Sequence, residues 1–144
     1  MSTPLRAVPD TNVLVAAAIK PTGLCGELLL AAIALRWQPV VSPRLLTELE
    51  EVLRRPKFGA TIHEATIREF AAGIAAISEI AVDPPPAATR SRDEKDDYLL
   101  ELAIVASIDV LISGDRDLTD LESPGVLVQT PRTFLESIGP AQRH

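Results

Sequence analysis

The sequence lacks the residues that staple small domains together. Cys25 is the only cysteine, so no intramolecular disulfide can form, and a reducing, cytoplasmic setting is expected. With one cysteine and two histidines, the chain has little for zinc to bind. Aromatic residues make up only 3%, so the core has to be built from Leu, Ile, Val and Ala. Long apolar runs are also missing. The longest, Leu28–Leu35, falls far short of the roughly 20 residues that span a bilayer. The run Val13–Ile19 has the length of a signal-peptide core, but Asp10 and Asn12 stand where basic residues belong. Neither an export signal nor a membrane span is expected. Positive charge is scarce too: 14 Lys and Arg against 20 Asp and Glu give a net charge of −6. That excludes a protein that coats nucleic acid non-specifically, because such binding rests on cations neutralising phosphates. It leaves room for an enzyme whose carboxylates gather around metal ions that offset their charge.

What is present is a chain of 144 residues, 47% of them hydrophobic, which suits one compact domain spanning 1–144. Leu5–Pro9 reads as a strand ending at Asp10. Thr11–Lys20 is apolar on nearly every face and reads as a buried helix stopped by Pro21. A second helical run covers Gly26–Trp37, followed by a brief strand at Val40 and Val41. Ser42-Pro43 combines an N-cap with proline at the first helical position, and opens a helix to about Arg54. Thr61 and Glu64 form a capping-box pattern before a helix with Ile67, Phe70, Ala71, Ile74 and Ile77 on the 3.6-residue period. Ile80–Val82 is a short strand, and Asp83-Pro84-Pro85-Pro86 opens a loop to about Asp93. A helix from Lys95 to about Ser107, a strand Asp109–Ser113, a turn or short helix at Leu118–Leu121, a strand Val126–Val128 and a helix Arg132–Ile138, capped by Thr130-Pro131 and closed by Gly139-Pro140, complete the chain. Strands alternating with helices predict a mostly parallel sheet covered on both faces.

In open α/β sheets, ligands bind beyond the carboxyl ends of the strands. Asp10 and Asp115 fall at such ends, while Asp93, Asp96 and Asp97 surround the start of the helix after the long loop. Each has a plainer reading: Asp10 as a helix cap, Asp96 and Asp97 as first-turn acids favoured by the helix dipole, Asp115 and Asp117 as turn residues. On a helical wheel Leu45, Leu46, Leu49, Val52 and Leu53 form one apolar arc. Glu48 and Glu50 border it and Glu51 faces away, so spacing alone leaves all three as solvated glutamates. Together, however, carboxylates at one sheet edge repel unless a cation joins them. Oxygen-only donors select Mg²⁺ or Mn²⁺, ions that serve phosphate chemistry.

Four stretches carry a resemblance to a known family: Val8-Pro9-Asp10-Thr11-Asn12-Val13-Leu14, Ser42 to Leu53, Arg92 to Ala103, and Ile112-Ser113-Gly114-Asp115-Arg116-Asp117-Leu118. In this order they resemble the PIN-domain nucleases over nearly the whole chain. The resemblance implies a Rossmann-like three-layer α/β/α sandwich with a four- or five-stranded parallel sheet, and an acidic pocket for one or two Mg²⁺ or Mn²⁺ ions. It places the family's first aspartate on Asp10 with Asn12 beside it, its helical glutamate on Glu48, and its last aspartate on Asp115 with Ser113 before it. The third acidic position falls on Asp96 or on Asp97, with Asp96 the first choice. Asp93 and Asp117 stand as outer acids.

The implied reaction is hydrolysis of RNA to a 5′-phosphate and a 3′-hydroxyl. Asp10, Asp96 and Asp115 hold one metal, Glu48 holds a second or positions the attacking water, and Asn12 and Ser113 orient the carboxylates. Arg44, Arg92, Lys95 and Arg116 are candidates for the RNA backbone or for ordinary surface solubility. Within the family the chain looks most like the stand-alone toxins of VapBC-like toxin–antitoxin pairs, which implies an antitoxin partner and a homodimer. The second helix and the Thr61–Ser78 helix have enough apolar residues to form a dimer face or to serve the core. Three rivals are weaker. A PIN-fold module that binds without cutting is disfavoured because all four acidic positions are filled. A receiver-like domain requires a pair of acids after the first strand and a lysine after Gln129. Nucleotide-binding glycine-rich loops are absent.

Overall fold

A computed structural model describes residues 4–59, 62–85, 94–108, 110–115, 119 and 126–139, with the side chains of 58–59 and 94–97 left out of the description. The elements run β1 (Leu5–Pro9), α1 (Thr11–Ile19), α2 (Leu24–Ile33), β2 (Trp37–Val41), α3 (Pro43–Leu53), α4 (Pro56–Gly59), α5 (Glu64–Ile77), β3 (Glu79–Ile80), α6 (Glu94–Val105), β4 (Val110–Ile112), β5 (Leu127–Gln129) and α7 (Pro131–Ser137). The strands form one five-stranded sheet in the order β3-β2-β1-β4-β5. Every pairing is parallel, with Leu5 opposite Trp37, Val8 opposite Leu111 and Val110 opposite Leu127.

Successive residues of a strand point to opposite faces, and the core divides accordingly. Ala7, Val110 and Ile112 join Leu28, Ala31 and Ala32 of α2, Trp37, and Phe134 of α7 on one face. Val8 and Leu111 join the buried leucines and isoleucines of α3, α5 and α6 on the other. The result is the expected three-layer α/β/α sandwich. α3 buries Leu45, Leu49, Val52 and Leu53, the arc the wheel marked out, with Leu46 only half-buried. The apolar face of α5, Ile67, Ala71 and Ile74, is spent on the core. On α2, by contrast, Leu30 and Ile33 remain 61% and 55% exposed. α1 and α2 meet at 100°, and no single helix among the described residues is long and apolar enough to cross a membrane.

Most expected elements form, but β3 runs one to two residues earlier than read, over Glu79–Ile80, α4 was not anticipated, and three further changes have identifiable contacts. α2 ends at Ile33 rather than Trp37, and β2 starts at Trp37, because Trp37 pairs opposite Leu5 and sits only 2% exposed. α5 begins at Glu64 with His63 in the cap position, while Thr61, the expected cap, lies outside the described residues. Glu64 accepts from Arg54 at 2.6 and 2.8 Å and from Arg68 at 3.0 Å. The Arg54 guanidinium holds its carboxyl down at about 2. The third change is at β5, one residue later than read, over Leu127–Gln129. The turn or short helix expected at Leu118–Leu121 lies outside the described residues except for Thr119.

α2 starts against the turn that precedes it. A Cβ on Gly26 would sit 1.8 Å from the Pro21 carbonyl oxygen and 2.4 Å from its carbon, both backbone. Gly26→Ala is therefore expected to destabilise by at least about 1–3 kcal/mol through overpacking. Gly73→Ala in α5 meets nothing within 4 Å, and should stabilise by up to about 1 kcal/mol through helix propensity. Urea midpoints of the two variants, moving in opposite directions, check this.

Candidate metal-binding cleft

Because every strand is parallel, all the strand ends that lead into helices lie on one edge. Asp10 follows β1, Ser42 follows β2, Asp83 lies three residues beyond β3, Ser113 follows β4 and Thr130 follows β5. The ladder extends one residue past the strands: Asp10 N–H donates to Ile112 O at 2.8 Å, and Ser113 N–H to Gln129 O at 2.9 Å. These bonds fix the backbone at both positions.

Asp10 is 2% exposed. A carboxylate this deep requires fixed donors. One oxygen accepts from the Asn12 N–H at 3.3 Å, which makes Asp10 the N-cap of α1, and the other accepts from the Ser113 hydroxyl at 2.9 Å. The same Ser113 oxygen accepts from the Asp115 N–H at 3.0 Å. Ser113, itself fully buried, thus connects the two aspartates. Asp10, Asn12, Val13, Cys25, Gly114, Asp115 and Pro131 line one cleft of about 360 Å³ at this edge. Beside Asp10, Thr11 is fully buried, and its hydroxyl has no partner among the described residues.

The cleft unites four of the sequence-predicted residues: Asp10, Asn12, Ser113 through its hydrogen bonds, and Asp115. Glu48 is half-buried on α3, which packs against α1, and is not among the cleft's lining residues. Asp96 and Asp97 occupy the first turn of α6, but their side chains, like that of Lys95, lie outside the description. Asp93, Asp117, Arg92 and Arg116 are outside the described residues altogether. Among the described residues, no three carboxylates, thiols or imidazoles converge as a metal cage. The donors present still suit a hard divalent ion, since Mg²⁺ typically takes one or two carboxylates and completes its shell with water and substrate phosphate. Sequence reading used Cys25 only as a redox indicator. In the structure it is half-buried in the cleft wall, where burial pushes its thiol up and keeps it neutral.

A second polar cluster on the same edge was not anticipated. The Ser42 hydroxyl caps α3 by accepting from the Leu45 N–H at 3.2 Å, and it contacts the Tyr98 hydroxyl. Tyr98 donates to Asp83 at 2.6 Å. The Arg44 N–H donates to both Asp83 oxygens, at 3.2 and 3.3 Å, and the Arg44 guanidinium lies 4.2 Å from the centre of the Tyr98 ring. Burial, with Asp83 second, pushes the Tyr98 phenol well above its usual value and keeps it a donor. For Asp83 burial acts upward, but the hydrogen bonds from Tyr98, Ser42 and Arg44 outweigh it and hold the carboxyl below its usual value. Arg44, a candidate for the RNA backbone or for surface solubility, lies here over an aromatic face. The one local signal for this cluster was the Ser42 cap.

Comparison with known proteins agrees with this fold. The uncharacterized protein MJ1680 of Methanocaldococcus jannaschii is 27% identical over 142 residues, covering 92% of this chain and 90% of that protein. The crystal structure of PAE2754 from Pyrobaculum aerophilum superposes with a TM-score of 0.68 at 17% identity, covering 96% of this chain and 91% of that one. VapBC2 from Rickettsia felis, bound to a DNA fragment from their promoter, gives 0.61 at 13% identity over 88% of this chain and 98% of that one. The PIN domain endonuclease Utp24 gives 0.54 at 19% identity over 90% and 86%. At these identities the structural likenesses establish the fold. Residues 6–117 match the family model itself, and the chain belongs to the PIN domain family.

Proposed function

We propose that this protein is an endoribonuclease that hydrolyses RNA phosphodiester bonds with Mg²⁺ or Mn²⁺, and that it acts as the toxin of a toxin–antitoxin pair. The observation that carries the reading is the pairing of Asp10 with Asp115 in one cleft through Ser113. PIN-family membership and the likeness to an endonuclease fold support it. Asp10, Asp115 and one of Asp96 and Asp97 would hold the ion, with Glu48 placing a second ion or the attacking water. A bound divalent ion supplies Lewis-acid stabilisation of the charge that develops on the phosphate and lowers the pKa of a water. The chain's own part is to fix the carboxylates. Ser113 ties Asp10 to the Asp115 backbone, and the α1 N-terminus adds an anion-favouring field at Asp10. The toxin reading rests on the likeness to the VapBC2 assembly. Its partners are RNA, a cognate antitoxin and a second copy of the chain.

Purified protein incubated with structured RNA and Mn²⁺ is expected to release fragments bearing 5′-phosphates, and excess chelator should abolish the cleavage. Absence of cleavage, or cleavage indifferent to the chelator, defeats the reading. Expression without a partner should arrest growth if the toxin assignment is right.

A further inference from the structure

We propose that Tyr98 is a positioning residue: its hydroxyl, held between Ser42 and Asp83, sets the axial and rotational register of the first turn of α6 at the sheet edge that carries Asp10. The inference deepens the nuclease reading and rests on it for its catalytic consequence.

α6 lies against β1 and β4 and is anchored by Leu99, Leu100, Leu102 and Ala103, each at most 1% exposed. Apolar packing of this kind is non-directional. Close packing of these side chains forbids a slip by a whole residue, but it acts on the helix after its first turn and leaves small tilts and fraying of that turn to other restraints. Directional restraint comes from Tyr98, which is 6% exposed and whose phenol meets two chain segments at once. The Tyr98 proton goes to Asp83 at 2.6 Å. Asp83 is pinned in turn by the Arg44 backbone N–H. On the other side the Ser42 hydroxyl, fixed by its cap on Leu45, meets the phenol. One hydroxyl therefore ties α6 both to the start of α3 and to the segment after β3.

Asp96 and Asp97 precede Tyr98 by two residues and one, about 3 Å and 1.5 Å along the helix axis. A shift of that turn by about 1 Å is enough to cost a catalytic site about 100-fold. The apolar anchors lie after Tyr98 in the helix, whereas the acids lie before it. The phenol is thus the polar restraint nearest to them among the described residues.

Tyr98→Phe keeps the ring, its packing and its stacking under Arg44, and removes only the hydroxyl. Ile67→Val, a core trim in α5, serves as a stability control. For Tyr98→Phe, kcat for Mn²⁺-dependent RNA cleavage should fall about 10–100-fold, the range seen when groups supporting a metal ligand are lost, with KM within about twofold. Mn²⁺ affinity measured by calorimetry should weaken alongside. Amide exchange at Tyr98 and Leu99, whose N–H groups close the first turn of α6, should quicken about tenfold, on the scale of one lost hydrogen bond, while the rest of the helix holds. Ile67→Val should change none of these. Parent-like exchange, kcat and Mn²⁺ affinity in Tyr98→Phe overturn the proposal, as do equal losses in Ile67→Val. If the parent neither binds Mn²⁺ nor cleaves RNA, the nuclease reading fails, and the exchange measurement alone still decides whether Tyr98 fixes the turn.

Discussion

Asp10→Asn is expected to lower metal-dependent RNA cleavage by about 10³-fold or more while leaving the protein folded. The magnitude follows from what the charge does. A carboxylate that helps hold a catalytic ion secures several kcal/mol of transition-state stabilisation, and about 4 kcal/mol corresponds to a thousandfold in rate. The amide has nearly the same shape and is an equally good N-cap, so α1 keeps its start. Asp10 uses both oxygens, one toward the Asn12 N–H and one toward the Ser113 hydroxyl, and asparagine offers only one. A stability loss of about 1 kcal/mol should accompany the change. Single-turnover cleavage and thermal melts on the same preparation separate the two effects. Ser113→Ala gives a graded comparison: it keeps both aspartates but removes the hydroxyl between them, and should cost about 10–100-fold. An Asp10→Asn protein that cuts at the parent rate would falsify the assignment of the cleft.

The largest stability effect is expected at Trp37. It is 2% exposed at the start of β2, edge-on to Phe134 with ring centroids 5.1 Å apart, and its indole N–H donates to the Leu28 carbonyl at 2.9 Å. The side chain joins strand, α2 and α7 on one face of the sheet. Trp37→Ala should cost about 3–5 kcal/mol, a large share of the roughly 5–15 kcal/mol that holds a domain folded. Trp37→Phe retains most of the ring packing and should cost less, chiefly the indole hydrogen bond and the smaller volume. Urea unfolding followed by circular dichroism measures both, and an unchanged m-value would show that the midpoint shift reports stability. A Trp37→Ala midpoint within experimental error of the parent would show that this face of the core is not organised around the indole.

The positions that local chemistry decides were readable in the sequence. Asp10 ahead of a wholly apolar helix, Ser42-Pro43 and Thr130-Pro131 each name a helix start, and all three caps form. Gly139 marks the end of α7 and adopts a left-handed φ of 78°. The helix ends that lack such a residue were read too long, α2 by four residues and α6 by about two. α2 and α6 both close with the backbone pattern in which the second residue past the cap bonds five positions back. Arg36 N–H donates to Ala31 O and Ile108 N–H to Ala103 O. The left-handed residue this pattern requires is Leu35 in one and Ser107 in the other, with φ of 63° and 57°, where glycine is favoured. With no glycine to announce the stop, the apolar run through Trp37 read on as helix. Only the pairing of Trp37 with Leu5 shows that it belongs to the sheet.

The cleft divides in the same way. The placement of Asp10 and Asp115 at one edge follows from parallel strands, so strand order was enough to unite them. The hydrogen bonds that join Ser42, Asp83 and Tyr98 span 56 and 15 positions of chain and left no periodic trace. Glu48 was singled out by family resemblance alone, because a half-buried glutamate beside an apolar arc looks the same on a wheel whether it meets solvent or a ligand.

Strand order also carries a consequence for biosynthesis. β1 is central, and its second edge stays bare until β4 arrives. The bond from Ser113 to Asp10 spans 103 positions, roughly 5–20 s of elongation at about 5–20 residues per second. Throughout that interval the first aspartate has no counterpart opposite it. A nascent chain on the ribosome, surrounded by RNA, carries only half a cleft until β4 and Ser113 have emerged, so the cleft is completed late in synthesis rather than with the first strand made.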